Sequence, residues 1–202
     1  MEHGYYTAQL GKRLEEWLVD RNLPNLKIYY DHGREGMNKV VPFFRPYSRA
    51  TTLAFVDCTV VDTVRKKALV LCEVEERGAS PKKIIGDICN LLLAEALCIG
   101  GEEYSFDGVP VILGVCVQEG GQSGNKVKAI GRRIETMVKP GWLRGLDIRI
   151  VPKTNREALV ESLFGEIRDI VVSYIPNVST SNTRAAPDRP CRPRTGSRRT
   201  RP

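Results

Sequence analysis

TLAFVDCTVVDTVRKKALVLCEVEE, residues 52–76, reads as two adjacent β-strands joined by a short basic turn. Strand side chains alternate between faces, so Glu73 and Glu75 share one face. With the turn centred on Val64 to Lys66, Asp57 pairs opposite or diagonal to Glu73. Three carboxylates then converge on a hairpin face otherwise made of Leu, Val, Ala and Phe. Converging carboxylates repel unless positive charge sits among them. Hard divalent cations such as Mg²⁺ take oxygen ligands and often use one or two carboxylates, with water and substrate phosphate completing the shell. The pattern points to a metal site for phosphodiester chemistry. The alternative is a strand end at which Glu73, Glu75 and Glu76 are merely solvated.

The flanking segments set this hairpin in an α/β frame. Leu10, Leu14, Trp17 and Leu18 form one stripe of a first helix, about 6–21, which Asn22-Leu23-Pro24 ends. Leu26 to Tyr30 is a short strand. The polar run DHGREGMNK and then FFRPYSRA read as loop. Ser80 is a good N-cap and Pro81 a good first-turn residue. They open a helix expected to run through IIGDICNLLLAEALCI to Gly100-Gly101, read as its C-terminal stop. The apolar run 109–117 is a central strand. A helix at about 125–139 turns Val127, Ile130, Ile134, Met137 and Val138 inward. A strand at 146–151 follows, and Thr154 with Glu157 makes a capping box for a last helix to about Tyr174. Antiparallel strands followed by alternating elements imply a mixed β-sheet flanked by helices on both faces.

Composition narrows the class. The chain has 202 residues, enough for one globular core, and no run of 18 apolar residues, so no membrane span is expected. The N-terminus lacks the apolar core of a signal peptide. Six cysteines without CxxC spacing, five of them in apolar segments, suggest small buried hydrophobes in a reduced, cytoplasmic protein. Two histidines, His3 and His32, make a zinc site improbable. Of the net charge of +7, +6 lies in the stretch 183–202, whose seven Arg face only Asp188. This Arg/Pro-rich tail, 177–202, is expected to be disordered beside a domain spanning 1–176. It either adds nonspecific affinity for phosphates or is a dispensable solvated extension.

Element order and carboxylates together resemble the PD-(D/E)XK nuclease superfamily, whose restriction-endonuclease-like core is αβββαβ. The resemblance covers about residues 6–120. Asp57 takes the place of the acidic residue on the second core strand, Glu73 that of the acidic residue on the third, and Glu75 the position of the lysine. Val56 stands where the family name has proline. The chain is similar to those restriction enzymes that carry ExE. The resemblance implies a Mg²⁺- or Mn²⁺-dependent endonuclease acting on DNA, with Asp57 and Glu73 holding the metal. Glu75 then binds a second metal or acts as general base. Alternatively a lysine displaced onto the next helix, Lys82 or Lys83, supplies the missing ammonium, or catalysis has been lost. Family members often place a Glu on the first helix near the metal; Glu15 flanks the apolar stripe and suits that role better than Glu16, which points away.

Weaker candidates surround these. Gln118 ends the central strand on the side where ligands collect in α/β sheets. Asp62 is expected to cap the hairpin turn. Glu95 falls on the Ile84/Ile88/Leu91 face and would need a partner if buried. Asp87, four residues after Lys83, reads as its ion-pair partner. Lys128, Arg132 and Lys139, and the stretch Arg34, Lys39, Arg45, Arg49 with Phe44 and Tyr47, would suit a nucleic-acid backbone or be plain solvated surface. Cutting both strands of a duplex often takes two sites, which favours a homodimer, although no interface is readable. The rival class is a catalytically inactive nuclease-fold domain that binds nucleic acid or a protein partner. Glycoside hydrolysis is disfavoured by sparse aromatics, 7% of the chain.

Overall fold

A computed structural model describes residues 4–32, 39–76, 80–117, 122–138 and 147–178. Gln118, Arg34, Lys139 and the Arg-rich stretch 182–202 lie outside the described residues. Elements follow in the order α1 (Tyr5–Asp20), β1 (Leu26–Tyr30), β2 (Val40–Phe43), β3 (Cys58–Asp62), β4 (Lys67–Glu75), α2 (Pro81–Leu93), β5 (Ala96–Ile99), β6 (Glu102–Tyr104), β7 (Pro110–Cys116), α3 (Gln122–Val138), β8 (Asp147–Lys153) and α4 (Arg156–Val178). The main sheet has the order β1-β3-β4-β7-β8. β1, β3 and β4 form an antiparallel meander, while β4, β7 and β8 run parallel. The expected mixed sheet flanked by helices is therefore present. Among the described residues no helix is long and apolar enough to cross a membrane.

Two apolar layers sandwich the sheet. On one side Tyr6, Leu10, Leu14 and Leu18 of α1 and Leu159, Leu163 and Ile167 of α4 pack on Cys58, Val60, Val70 and Cys72. On the other, Ile84, Ile88 and Leu91 of α2 and Val127 and Ile134 of α3 pack on Leu71, Leu113 and Val115. A single strand thus feeds both cores by alternation. The α1 layer is tight: a Cβ at Gly11 would lie 2.3 Å from the Tyr30 ring. The five described cysteines, Cys58, Cys72, Cys89, Cys98 and Cys116, are all free thiols.

Several elements depart from expectation. α2 stops at Leu93, where Ala94 turns extended, and 96–99 is a strand rather than more helix. A run that is apolar on every side carries no period, so pairing decides its state. Here Val40–Phe43, where no strand was expected, pairs with Ala96–Ile99 to start a second sheet, β2-β5-β6. Gly100 and Gly101, with φ of 59° and 85°, form the two-residue hairpin turn between β5 and β6 rather than a helix stop. Glu95 is exposed, and its carboxylate accepts the Arg45 backbone N–H at 3.0 Å. The α4 cap is Asn155, whose Oδ1 accepts from Ala158 N at 3.1 Å. The expected capping-box Glu157 instead accepts from the Tyr6 hydroxyl at 2.9 Å.

Candidate active site

The hairpin delivers its carboxylates through a register shift. Asp62 pairs with Lys67 and Val61 with Ala68, but Val60 pairs with Val70, leaving Leu69 as an extra residue on β4. A bulge of this kind moves every later partner by one position. Cys58 therefore faces Cys72, and one step further Asp57 stands opposite Glu73. Without the bulge Asp57 would face Cys72. Asp62 caps the turn as expected: its carboxylate accepts from Val64 N at 3.0 Å, Arg65 N at 2.8 Å and the Tyr174 hydroxyl at 2.9 Å.

Asp57, Glu73 and Glu75 share the sheet face covered by α2. They lie at the carboxyl end of β4, beside its parallel neighbour β7, where ligands gather in α/β sheets. Glu73 is 8% exposed and Glu75 6%, so the solvated strand end does not describe them. Asp57 accepts the Val74 backbone N–H at 2.8 Å. Its pKa is nonetheless raised, first by burial and then by Glu75, with His32 and Lys83 opposing. The Glu73 carboxyl is pushed well above the ordinary range by burial, then by the charges of Asp57 and Asp87; the Asp57 backbone N–H pulls the other way, and the Asp57 carboxyl lies within hydrogen-bonding reach. Two buried carboxyls this close share a proton or need a cation.

Glu75 has a different partner. The Lys83 ammonium, from the first turn of α2, forms an ion pair with its carboxylate. Ser80 holds that turn by accepting from Lys83 N at 3.3 Å. Burial lowers the Lys83 pKa, but the Glu75 hydrogen bond and charge, with Asp87 and Asp57, outweigh it and raise it. Lys83 thus reaches the face of Glu73 from the next helix, and Lys82 is exposed.

Asp87 is a site residue that the sequence assigned only to an ion pair. Its Oδ2 is buried and has no hydrogen-bond partner. Burial, then Glu75, push its pKa up to about 6, against the pull of Lys83. The signal available was its place on the helix, one residue before inward-facing Ile88 and three after Ile84.

Three other acidic residues lie elsewhere. Glu76 is a structural cap: its Oε1 accepts from Tyr6 N at 2.8 Å and Thr7 N at 3.0 Å, at the start of α1. Glu15 lies eight residues beyond Thr7, about 12 Å along the helix axis. It lines a groove with Leu18, Leu23 and Lys27 on α1, which packs against the opposite sheet face, so the structure does not bring it to Asp57 and Glu73. Glu16 is exposed beside Lys12.

Among the described residues no group of three or more His, Cys, Asp or Glu side chains is gathered closely enough to hold a metal ion. The three hairpin carboxylates share a face without forming a three-ligand set, and Glu75 is engaged by Lys83. What remains is the pair Asp57 and Glu73, both hard oxygen donors, with the unpartnered Asp87 oxygen nearby. A pair of that kind fits Mg²⁺ or Mn²⁺, which commonly take one or two carboxylates and fill the shell with water and phosphate. The chain matches no protein-family model, no curated protein and no solved structure.

Proposed function

We propose that this chain is a Mg²⁺- or Mn²⁺-dependent endonuclease that hydrolyses phosphodiester bonds in DNA, built on a PD-(D/E)XK-like αβββαβ core. Supporting the core are the order of α1, the meander β1-β3-β4, α2 and parallel β7. The observation that carries the activity is the Asp57 carboxyl beside that of buried Glu73, with the Lys83 ammonium held by Glu75 on the same face.

Hydrolysis adds water to phosphorus while the ester oxygen leaves and takes up a proton. Asp57 and Glu73 would hold the cation, and Glu75 would act through Lys83. When bound there, the metal would polarise a phosphate oxygen and lower the pKa of coordinated water. Lys83 would place its ammonium against the developing negative charge on the phosphate, on the face where the family lysine would stand. Holding Lys83 by a buried carboxylate fixes the donor before substrate arrives, which is how charge stabilisation becomes effective.

The same ion pair supports a second reading. Lys83 neutralises Glu75 without any metal, as a catalytically inactive domain that binds nucleic acid or protein would require. The experiment is cleavage of supercoiled plasmid and branched DNA with Mg²⁺ or Mn²⁺, comparing wild type, Asp57→Asn and Glu73→Gln. The nuclease reading expects cleavage by wild type alone. No cleavage by any form, with DNA binding retained, favours the inactive domain.

A further inference from the structure

Phe55 is 47% exposed, although it lies two residues before Asp57 and beside fully buried Val56. Two residues of chain span at most about 7 Å, so the Phe55 backbone lies beside the carboxylate site. Its position is fixed from behind. Val56 N donates to Val40 O at 3.0 Å, and the two residues form an antiparallel bridge. Lys39, adjacent to Val40, is thereby placed across from Asp57. Its ammonium sits 4.3 Å from the centroid of the Phe55 ring.

A cation over an exposed aromatic ring, next to buried carboxylates, has a specific chemical complement. Lys39 can leave the ring for a phosphate oxygen at little cost, since an exposed cation–π contact is weak. Phe55 then offers a flat apolar face. Nucleobases stack on such a face only when they are not already stacked within a duplex. An acidic peptide would engage Lys39 but has no use for the ring.

We propose that Phe55 and Lys39 form a docking rim for an unpaired nucleotide, with the base stacked on Phe55 and its phosphate on Lys39. The substrate class is therefore single-stranded or locally unstacked nucleic acid, rather than regular duplex. The choice of nucleic acid as occupant rests on the nuclease reading above.

The test uses the full chain in chelator, so that nothing is cut, and a single-stranded oligonucleotide carrying 2-aminopurine, alone or annealed. Wild type should bind the single strand and quench its fluorescence. Phe55→Leu keeps an apolar side chain and removes the ring; it should weaken single-strand binding about tenfold and abolish the quench, with duplex binding and melting temperature unchanged. Phe55→Trp should keep both binding and quench. Lys39→Ala should weaken binding and flatten its salt dependence by about one counterion. Unchanged affinity and quench in Phe55→Leu overturn the proposal, as does an equal loss on duplex. The two readings fail separately. Stacking in a protein that never cleaves DNA would retain the rim and remove the nuclease, whereas cleavage with Phe55 irrelevant to binding would do the reverse.

Discussion

Lys83 forms an ion pair with Glu75 from the first turn of the following helix, so an ammonium reaches the sheet face that carries the carboxylates. Lys83→Ala should slow single-turnover cleavage about 10²- to 10³-fold, the loss seen when one preorganised charge-stabilising donor is removed. Calorimetry should show Mn²⁺ binding retained, because Asp57 and Glu73 are untouched. Lys83→Ala cleaving as fast as wild type, with Glu75→Ala dead, would return the role to Glu75 itself.

That pair also has a structural share. Glu75 is buried while the Lys83 side chain is 56% exposed, so solvent screens the attraction and the stability at stake is about 1 kcal/mol. Lys83→Met combined with Glu75→Gln should recover the melting temperature that Lys83→Met alone loses, and still not cleave. A double variant that regains cleavage would contradict a catalytic lysine.

The neighbouring glutamates separate by role. Glu76 holds two backbone N–H groups at the start of α1, and Arg156 Nε donates to its carbonyl at 2.9 Å. Glu76→Ala should destabilise by about 1–3 kcal/mol in urea melts, since it leaves buried donors unpaired, and the folded fraction should cleave normally. Glu73→Gln should do the opposite, keeping stability and losing cleavage.

The hairpin and the stripe Leu10/Leu14/Leu18 were legible from local pattern, although the first hairpin strand begins at Cys58 rather than near Thr52. The small sheet was not. Val40–Phe43 contains Pro42, and Ala96–Ile99 is uniformly apolar, so neither shows a strand period on its own; each becomes a strand only against the other. Gly100-Gly101 serves equally as a helix stop or a hairpin turn, and the partner strand decides. Within the site, Glu73 and Glu75 could be placed on one face from spacing alone. The pairing of Asp57 with Glu73 depends on the extra residue Leu69, and a bulge leaves no mark in composition. The sequence offered Lys82 and Lys83 alike and left Asp87 as an ion-pair partner; which of them reaches the carboxylates depends on how α2 packs, which is a tertiary property.

Gly11 offers a test of packing independent of function. Alanine is the better helix former by about 1 kcal/mol, yet its Cβ would lie 2.3 Å from Tyr30. The ring is buried and cannot swing away cheaply. Gly11→Ala should therefore lower the urea midpoint by the equivalent of about 1–3 kcal/mol, and Gly11→Ala with Tyr30→Leu should recover part of it. A more stable Gly11→Ala protein would show that α1 and β1 pack more loosely than this.

The last prediction concerns the cost of the carboxylate cluster without metal. A carboxyl whose pKa is higher in the folded than in the unfolded chain binds its proton more tightly when folded. Its stabilising contribution is complete below the unfolded pKa and is lost as pH rises through the folded value. For Asp87 that window runs from 3.8 to about 6, and Asp57 and Glu73 shift in the same direction. Relative to Asp87→Asn, the metal-free wild type should therefore lose about 1–2 kcal/mol between pH 4 and pH 7, after allowance for solvent screening. Groups elsewhere cancel in that difference. Mg²⁺ or Mn²⁺ should raise the wild-type melting temperature more at pH 8 than at pH 5, because protons compete for the same oxygens. Asp57→Asn should remove most of that metal-induced shift. Thermal melts of the three proteins across this pH range, with chelator and with Mn²⁺, give the comparison directly. A wild-type minus Asp87→Asn difference that stays flat with pH would mean that Asp87 is not held among those charges, and a metal shift that survives Asp57→Asn would place the cation elsewhere.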